Sequence, residues 1–196
     1  MSTDQQSLIT RRLLDILSPD EDEVTYEMLY RPSNHYDWVT DQLAVGGSLR
    51  HLSEIDKAVA DGIKLVVDNR IEQSCPNIWR DAGVLYIHNG VNDDGKAKPD
   101  WFWQMGVNVA AAMTQDPDFK VLTHCAAGMN RGPAIGYIIL RCQDYTGDQA
   151  HRMLKQARPC VWNDYRYDAD NFLAGISYTR RRRLFRDRQL TNHWIG

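Results

Sequence analysis

The stretch "VLTHCAAGMNRGP", Val121 to Pro133, decides how the rest of the chain is read. An apolar run ends at His124 and Cys125, small residues follow, and Arg131 stands before a Gly-Pro pair that opens another apolar segment. A strand that merely ended in a buried loop has no use for the arginine, and a surface turn has none for the cysteine. Between a strand and a helix N-terminus both make sense. Loop N–H groups curl around an anion there, and the helix dipole adds partial positive charge. Ala126, Ala127 and Gly128 let the backbone come close, and Met129 and Asn130 complete an uncharged loop interior. Arg131 supplies a planar fork for two oxygens of a tetrahedral oxyanion, such as phosphate or sulfate. The same field favours the thiolate of Cys125. A thiolate beneath a cradled phosphate is placed to attack it and form a phosphocysteine.

Working outward, the pattern alternates. "LITRRLLDIL" predicts an amphipathic first helix, and the chain from Pro19 to Asn34 reads as an arm. "WVTDQLAVGG" predicts a strand or hairpin closed by Gly46-Gly47, and "LSEIDKAVADG" a helix with Ser53 as N-cap and Gly62 as stop. "IKLVVD", "VLYIH" and "FKVLTH" are short apolar runs of the kind found in strands covered on both faces. "DWFWQMGVNVAAAMTQ", "GPAIGYIILRCQDYTG" and "DQAHRMLKQARP" read as helices, with a last helix from about Asp168. Strands alternating with helices predict an α/β protein of three layers, α/β/α, whose central, mostly parallel sheet has four to five strands. In such sheets ligands sit beyond the C-terminal strand ends, where the quoted stretch lies.

Composition sets outer limits. At 196 residues, 43 % apolar and 25 % charged, the chain fits one soluble domain with extensions. We place an N-terminal helix and acidic arm at 1–35, a catalytic domain at 36–178 and a basic extension at 179–196. A net charge of −3 does not mark a general polyanion binder. The arginine tract from Arg180 to Arg188 leaves nucleic acid open as a partner without favouring it. Four scattered cysteines give neither a disulfide framework nor a zinc pattern. Without a signal-like start or a bilayer-length apolar run, a cytoplasmic protein without a membrane partner is expected. Oligomeric state is not legible here. Cys75 is the least poor candidate for a disulfide partner of Cys125.

"HCAAGMNRG" resembles the HCxxGxxR[ST] signature of the cysteine-dependent protein tyrosine phosphatases, matching at His124, Cys125, Gly128 and Arg131. "DQLAVGGSL" and "ARPCVWNDYRYDADNFL" are similar to segments of the compact dual-specificity branch. The resemblance implies a protein phosphatase acting on phosphotyrosine, and on phosphoserine or phosphothreonine in dual-specificity members, with a phosphocysteine intermediate and no metal or cofactor. It also implies a general acid in "GVNDDGKAKPD". Asp94, before Gly95, matches the "DDG" form seen in the phosphatases of regenerating liver and is preferred. Asp93 remains a competitor. His124 is implied as a support that orders the loop.

Gly132 departs from the signature, whose Ser or Thr hydroxyl is implied to assist release of the cysteine. Its loss predicts slow hydrolysis of the phosphoenzyme. Two other readings stay open. Asn130 before Arg131 resembles the capping-enzyme RNA 5′-triphosphatases, and a slow enzyme could be a phosphate- or partner-binding module. The acidic run Asp20 to Glu23 suggests a cover over a basic pocket.

Overall fold

The computed structural model describes residues 35–49 and 51–176. The expected first helix, the acidic arm and the arginine tract lie outside them. Strand β1 (Tyr36–Trp38) turns back into β2 (Leu43–Gly46) as an antiparallel hairpin. Strands β3 (Ile63–Arg70), β4 (Leu85–Val91) and β5 (Lys120–His124) are parallel to β2, in the order β1-β2-β5-β3-β4. The helices are α1 (Leu52–Ala60), α2 (Pro76–Asp81), α3 (Asp100–Gln115), α4 (Arg131–Cys142), α5 (Gly147–Ala157) and α6 (Arg166–Gly175).

The side-chain period of two sends alternate strand residues into separate cores. Leu43, Val45, Leu65, Val67 and Val121 pack with α3, α4, α5 and α6. Ala44, Val66 and Leu122 pack with Ile55 and Ala58 of α1 and Trp79 of α2. This is the three-layer, mostly parallel α/β architecture that the alternation predicts. Helix α4 is buried on every side from Arg131 to Leu140, which explains why its sequence is apolar without a polar stripe. Phe102 and Trp103 of "DWFW" are core residues, whereas Trp101 is exposed.

Several boundaries differ from expectation. Helix α1 starts one residue before Ser53. His51 is the flanking residue, and Glu54 reaches back to its N–H at 3.0 Å, so Ser53 lies in the first turn and is not the cap. Gly62 does stop that helix, at φ +84°. Gly46-Gly47 does not close the hairpin, whose turn is Val39 to Gln42; the pair ends β2 beside the cysteine loop. Helix α2 carries too few apolar residues to show a helical period and was not anticipated. Helix α6 begins at Arg166, two residues before the expected Asp168. No helix among the described residues is long and apolar enough to cross a membrane.

Candidate active site

Strand β5 lies between β2 and β3, with His124 level with Gly46 on one side and Asp68 on the other. The Cys125 N–H makes one last bond, to the Gly46 carbonyl at 3.2 Å, and the chain then leaves the sheet. Cys125 is 2 % exposed, and Arg131, the first residue of α4, is 5 % exposed.

Between them the loop carbonyls are all claimed from outside. Ala126 O accepts from the Ser48 N–H at 3.0 Å and its hydroxyl at 3.2 Å. Arg158 donates from Nη2 to Ala127 O and from Nε to Gly128 O, each at 2.9 Å, while its Nη1 pairs with Asp37 at 2.8 Å. Met129 O accepts from the Trp162 N–H at 2.8 Å. With the carbonyls held outward, the N–H groups of Ala126 through Arg131 meet no acceptor among the described residues. Gly128 turns the loop at φ +70°, and a Cβ there would stand 2.4 Å from the Gly46 carbonyl carbon. Only glycine meets both demands. Such a ring of unpaired amides is an anion nest.

The Arg131 guanidinium is set with equal care. Nη1 and Nη2 bind both oxygens of Glu72, at 2.8 and 2.9 Å, and Nη1 also donates to Val91 O at 3.0 Å. Burial opposes the charge, but the Glu72 hydrogen bonds and the charges of Cys125, Glu72 and Asp93 outweigh it and raise the pKa above the ordinary value. These bonds leave the side edge formed by Nε and Nη2. Nε is buried without a hydrogen-bond partner, and the Asp93 carboxylate stands 3.3 Å from it.

The two candidate acids point apart. Asp93 Oδ1 accepts from Asn130 Nδ2 and from the Tyr165 hydroxyl, each at 2.9 Å, so Asp93 is tied to the cradle. Asp94 faces Lys98, whose Nζ lies 2.5 Å from its Oδ1, and it also accepts the Lys96 N–H at 3.2 Å. Lys98 and the Lys96 N–H lower the Asp94 pKa.

His124 is 1 % exposed, and burial pushes its pKa down to about 4. Its Nδ1 lies 3.3 Å from its neighbour's carbonyl, Cys125 O, and its Nε2 is 3.8 Å from Asp68 Oδ2. Asp68 is itself clasped by Arg70, from Nε at 2.9 Å and Nη2 at 2.7 Å, and by the Tyr86 hydroxyl at 2.7 Å. Gly132 closes against the His124 backbone. Cys75 is a free, partly buried thiol flanking α2, with its N–H donated to the Tyr86 hydroxyl at 3.2 Å.

The sequence matches no family profile and no curated protein. Solved structures do match. A mouse protein described as a "putative dual specificity phosphatase", complexed with zinc tungstate, superposes with a TM-score of 0.62 at 21 % identity, over 73 % of this chain and 89 % of that one. Human DUSP28 gives 0.60 at 21 % identity, over 71 % and 93 %. PTPMT1 in complex with PI(5)P gives 0.61 at 13 % identity, over 74 % and 100 %. The chain has the dual-specificity phosphatase fold. Within that fold the quoted loop takes the end of the central strand.

Four residues of this site have no role that the sequence assigns. Glu72, Arg158, Tyr165 and Asn69 lie far from the loop in the chain. Asn69 donates to Thr123 Oγ1 and His124 O, each at 2.9 Å, from inside β3. The arginine-proline segment resembles that of the dual-specificity branch, but nothing in its sequence shows that Arg158 holds two loop carbonyls. Only the strand order brings these residues together.

Proposed function

We propose that the chain is a cysteine-dependent protein phosphatase acting on phosphotyrosine, with phosphoserine and phosphothreonine as secondary substrates. The observation that carries this reading is the run of amides from Ala126 to Arg131 that meet no acceptor, between a buried thiol and an Arg131 whose Nε makes no hydrogen bond. That arrangement supplies donors for the equatorial oxygens of a phosphoryl group and a nucleophile beneath it.

In the first step the Cys125 thiolate attacks phosphorus. The P–O bond to tyrosine breaks, and Asp94 gives its proton to the leaving oxygen. In the second step a water attacks phosphorus, Asp94 takes its proton, and the P–S bond breaks to return the thiolate and release phosphate. Asp93 is the weaker choice for this role because Asn130, Tyr165 and Arg131 hold it to the cradle. Its place is to fix the loop that carries Asp94. Arg131 and the amides neutralise the developing charge, so the residues themselves account for the electrostatics of both steps.

Asn130, which carries the resemblance to the RNA enzymes, does not offer itself as a substrate contact here. That side chain is consumed within the protein, donating to Asp93 and accepting the Asp164 N–H at 2.9 Å. A multiply phosphorylated inositol headgroup finds no cationic side chain among Ala126 to Asn130 of this loop.

The test is a pH–rate profile on an aryl phosphate for the parent, Cys125→Ser and Asp94→Ala, with a tyrosine-phosphorylated peptide, a 5′-triphosphorylated RNA and PI(5)P assayed in parallel. Loss of turnover in Cys125→Ser, loss of the descending limb in Asp94→Ala and preference for the peptide support the assignment. Full activity in Cys125→Ser, or preference for RNA or lipid, refutes it.

A further inference from the structure

Lys98 is a cation in an unusual place. Its side chain is only 4 % exposed, yet its Nζ reaches Asp94 Oδ1 at 2.5 Å, four residues back in a loop outside any helix. Two contacts hold the lysine itself. Its backbone N–H donates to Asp168 Oδ2 of α6 at 2.6 Å, and its ammonium lies 4.4 Å from the centre of the Tyr165 ring, a cation–π contact. Tyr165 in turn accepts the Gly95 N–H at 3.0 Å and donates to Asp93. Asp94 thus stands between two residues that Tyr165 fixes, opposite an ammonium that α6 fixes. An exposed carboxylate on a loop tip would otherwise sample many rotamers.

We propose that Lys98 is a positioning residue for the acid–base step, holding the Asp94 carboxyl in one place from a side chain buried against α6. The proposal rests on the reading of Asp94 as the proton donor. Lys98 lines a cavity of about 800 Å³ together with Asp100 and Asp168, so carboxylates share its wall when Asp94 turns to the leaving oxygen. The charged and titratable groups facing Asp94 are Lys98 and Lys96 on its own loop and Tyr165 at the start of α6. The lysines hold its pKa below the ordinary carboxyl value, with the Lys98 hydrogen bond the largest cause. The descending limb of kcat/KM, which reports loss of the donor's proton, is thereby kept at low pH.

The experiment is the pH dependence of kcat/KM and kcat on an aryl phosphate for Lys98→Met, which keeps the apolar stem, and Lys98→Arg, which keeps the charge. Lys98→Met moves the descending limb to higher pH and lowers plateau kcat by about tenfold, since a misplaced catalytic group costs up to ~10². KM is unchanged, because Lys98 does not face the phosphate cradle, and Lys98→Arg returns the limb toward the parent position. High salt, which screens a partly exposed pair, moves the parent's limb upward and leaves that of Lys98→Met in place; this arm reads the parent even if a variant folds poorly. A Lys98→Met profile superimposed on the parent, or lower activity in both variants with the limb unmoved, overturns the proposal. Asp94→Ala separates the two claims. If it keeps the limb, Asp94 is not the acid; if it loses the limb while Lys98→Met leaves it unmoved, only the role of Lys98 falls.

Discussion

Replacing Gly132 by serine supplies the hydroxyl that the phosphatase signature carries at that position, and the structure says it will not fit. A Cβ on residue 132 would stand 2.9 Å from both the Cα and the carbonyl carbon of His124, and 3.1 Å from the Cys125 nitrogen. These are backbone atoms of the strand end and of Cys125, not the far ends of flexible side chains. Overpacking of this kind costs about 1–3 kcal/mol. Gly132 is not at positive φ, so a side chain recovers some backbone entropy, at most about 1 kcal/mol in a helix interior and less in a first turn. The net expectation is a loss on the order of 1–2 kcal/mol, which lowers Tm by roughly 2–8 °C for a domain of this size. Gly132→Ala carries the same Cβ without the hydroxyl and is expected to match it. The assay is thermal unfolding of the three proteins, paired with rapid-mixing kinetics on an aryl phosphate to resolve the burst from phosphoenzyme hydrolysis. A Gly132→Ser protein as stable as the parent, with faster hydrolysis of its phosphoenzyme, would show that the strand end yields and that the steric argument is wrong.

Arg158→Met removes a buried cation from Asp37 and from two loop carbonyls, and is expected to cost about 3–5 kcal/mol in urea unfolding and to weaken vanadate inhibition. Asp93→Ala is expected to lower kcat about tenfold while keeping the descending limb, since Asp94 still supplies the proton; a vanished limb would move the acid role to Asp93. His124 is buried with a pKa pushed down to about 4. Between that value and its ordinary pKa near 6.5 the unfolded chain binds the extra proton, so stability falls as pH drops through this window, by up to about 1.4 kcal/mol per pH unit. Asp68, held below its ordinary pKa by Arg70 against its own burial, adds loss in the same direction at lower pH. Denaturant titrations from pH 7 to 4 should show this slope, and it should flatten between pH 6.5 and 4.5 in His124→Gln.

The proposed phosphate cradle was legible because it is local. A nucleophile, small residues and a cation within seven positions leave few three-dimensional arrangements, and the apolar run before them fixed the strand. The near-continuous apolar runs "IKLVVD" and "FKVLTH" announced a sheet covered on both faces for the same reason. What stayed hidden was whatever depends on strand order. Glu72 follows β3 and reads as a surface acid until β5 is known to lie beside β3. Arg158 reads as a helix-end cation until its fork meets Ala127 O and Gly128 O. The choice between Asp93 and Asp94 was open because adjacent residues share every sequence property, and their separation comes from Tyr165 and Lys98 approaching from different sides. Helix α2 escaped because one buried residue, Trp79, makes no period.

The same strand order makes the site one mechanical unit. Arg131 gathers the end of β3 through Glu72, the end of β4 through Val91 O and the acid loop through Asp93. Asn130 joins that loop to the segment before α6, through Asp93 on one side and Asp164 on the other. The edge of Arg131 that a phosphate needs, Nε with Nη2, is the edge beside which the Asp93 carboxylate stands. Two anions do not share one guanidinium nitrogen at close range, because like charges repel. If the proposed function holds, a phosphate entering the loop competes with Asp93 for Nε, and yielding by Asp93 strains its bonds to Asn130 and Tyr165. Tyr165 also holds Gly95 and the ammonium of Lys98, so the displacement reaches Asp94 through both neighbours. On the proposed reading, the charge of an entering phosphate loosens the loop that carries Asp94.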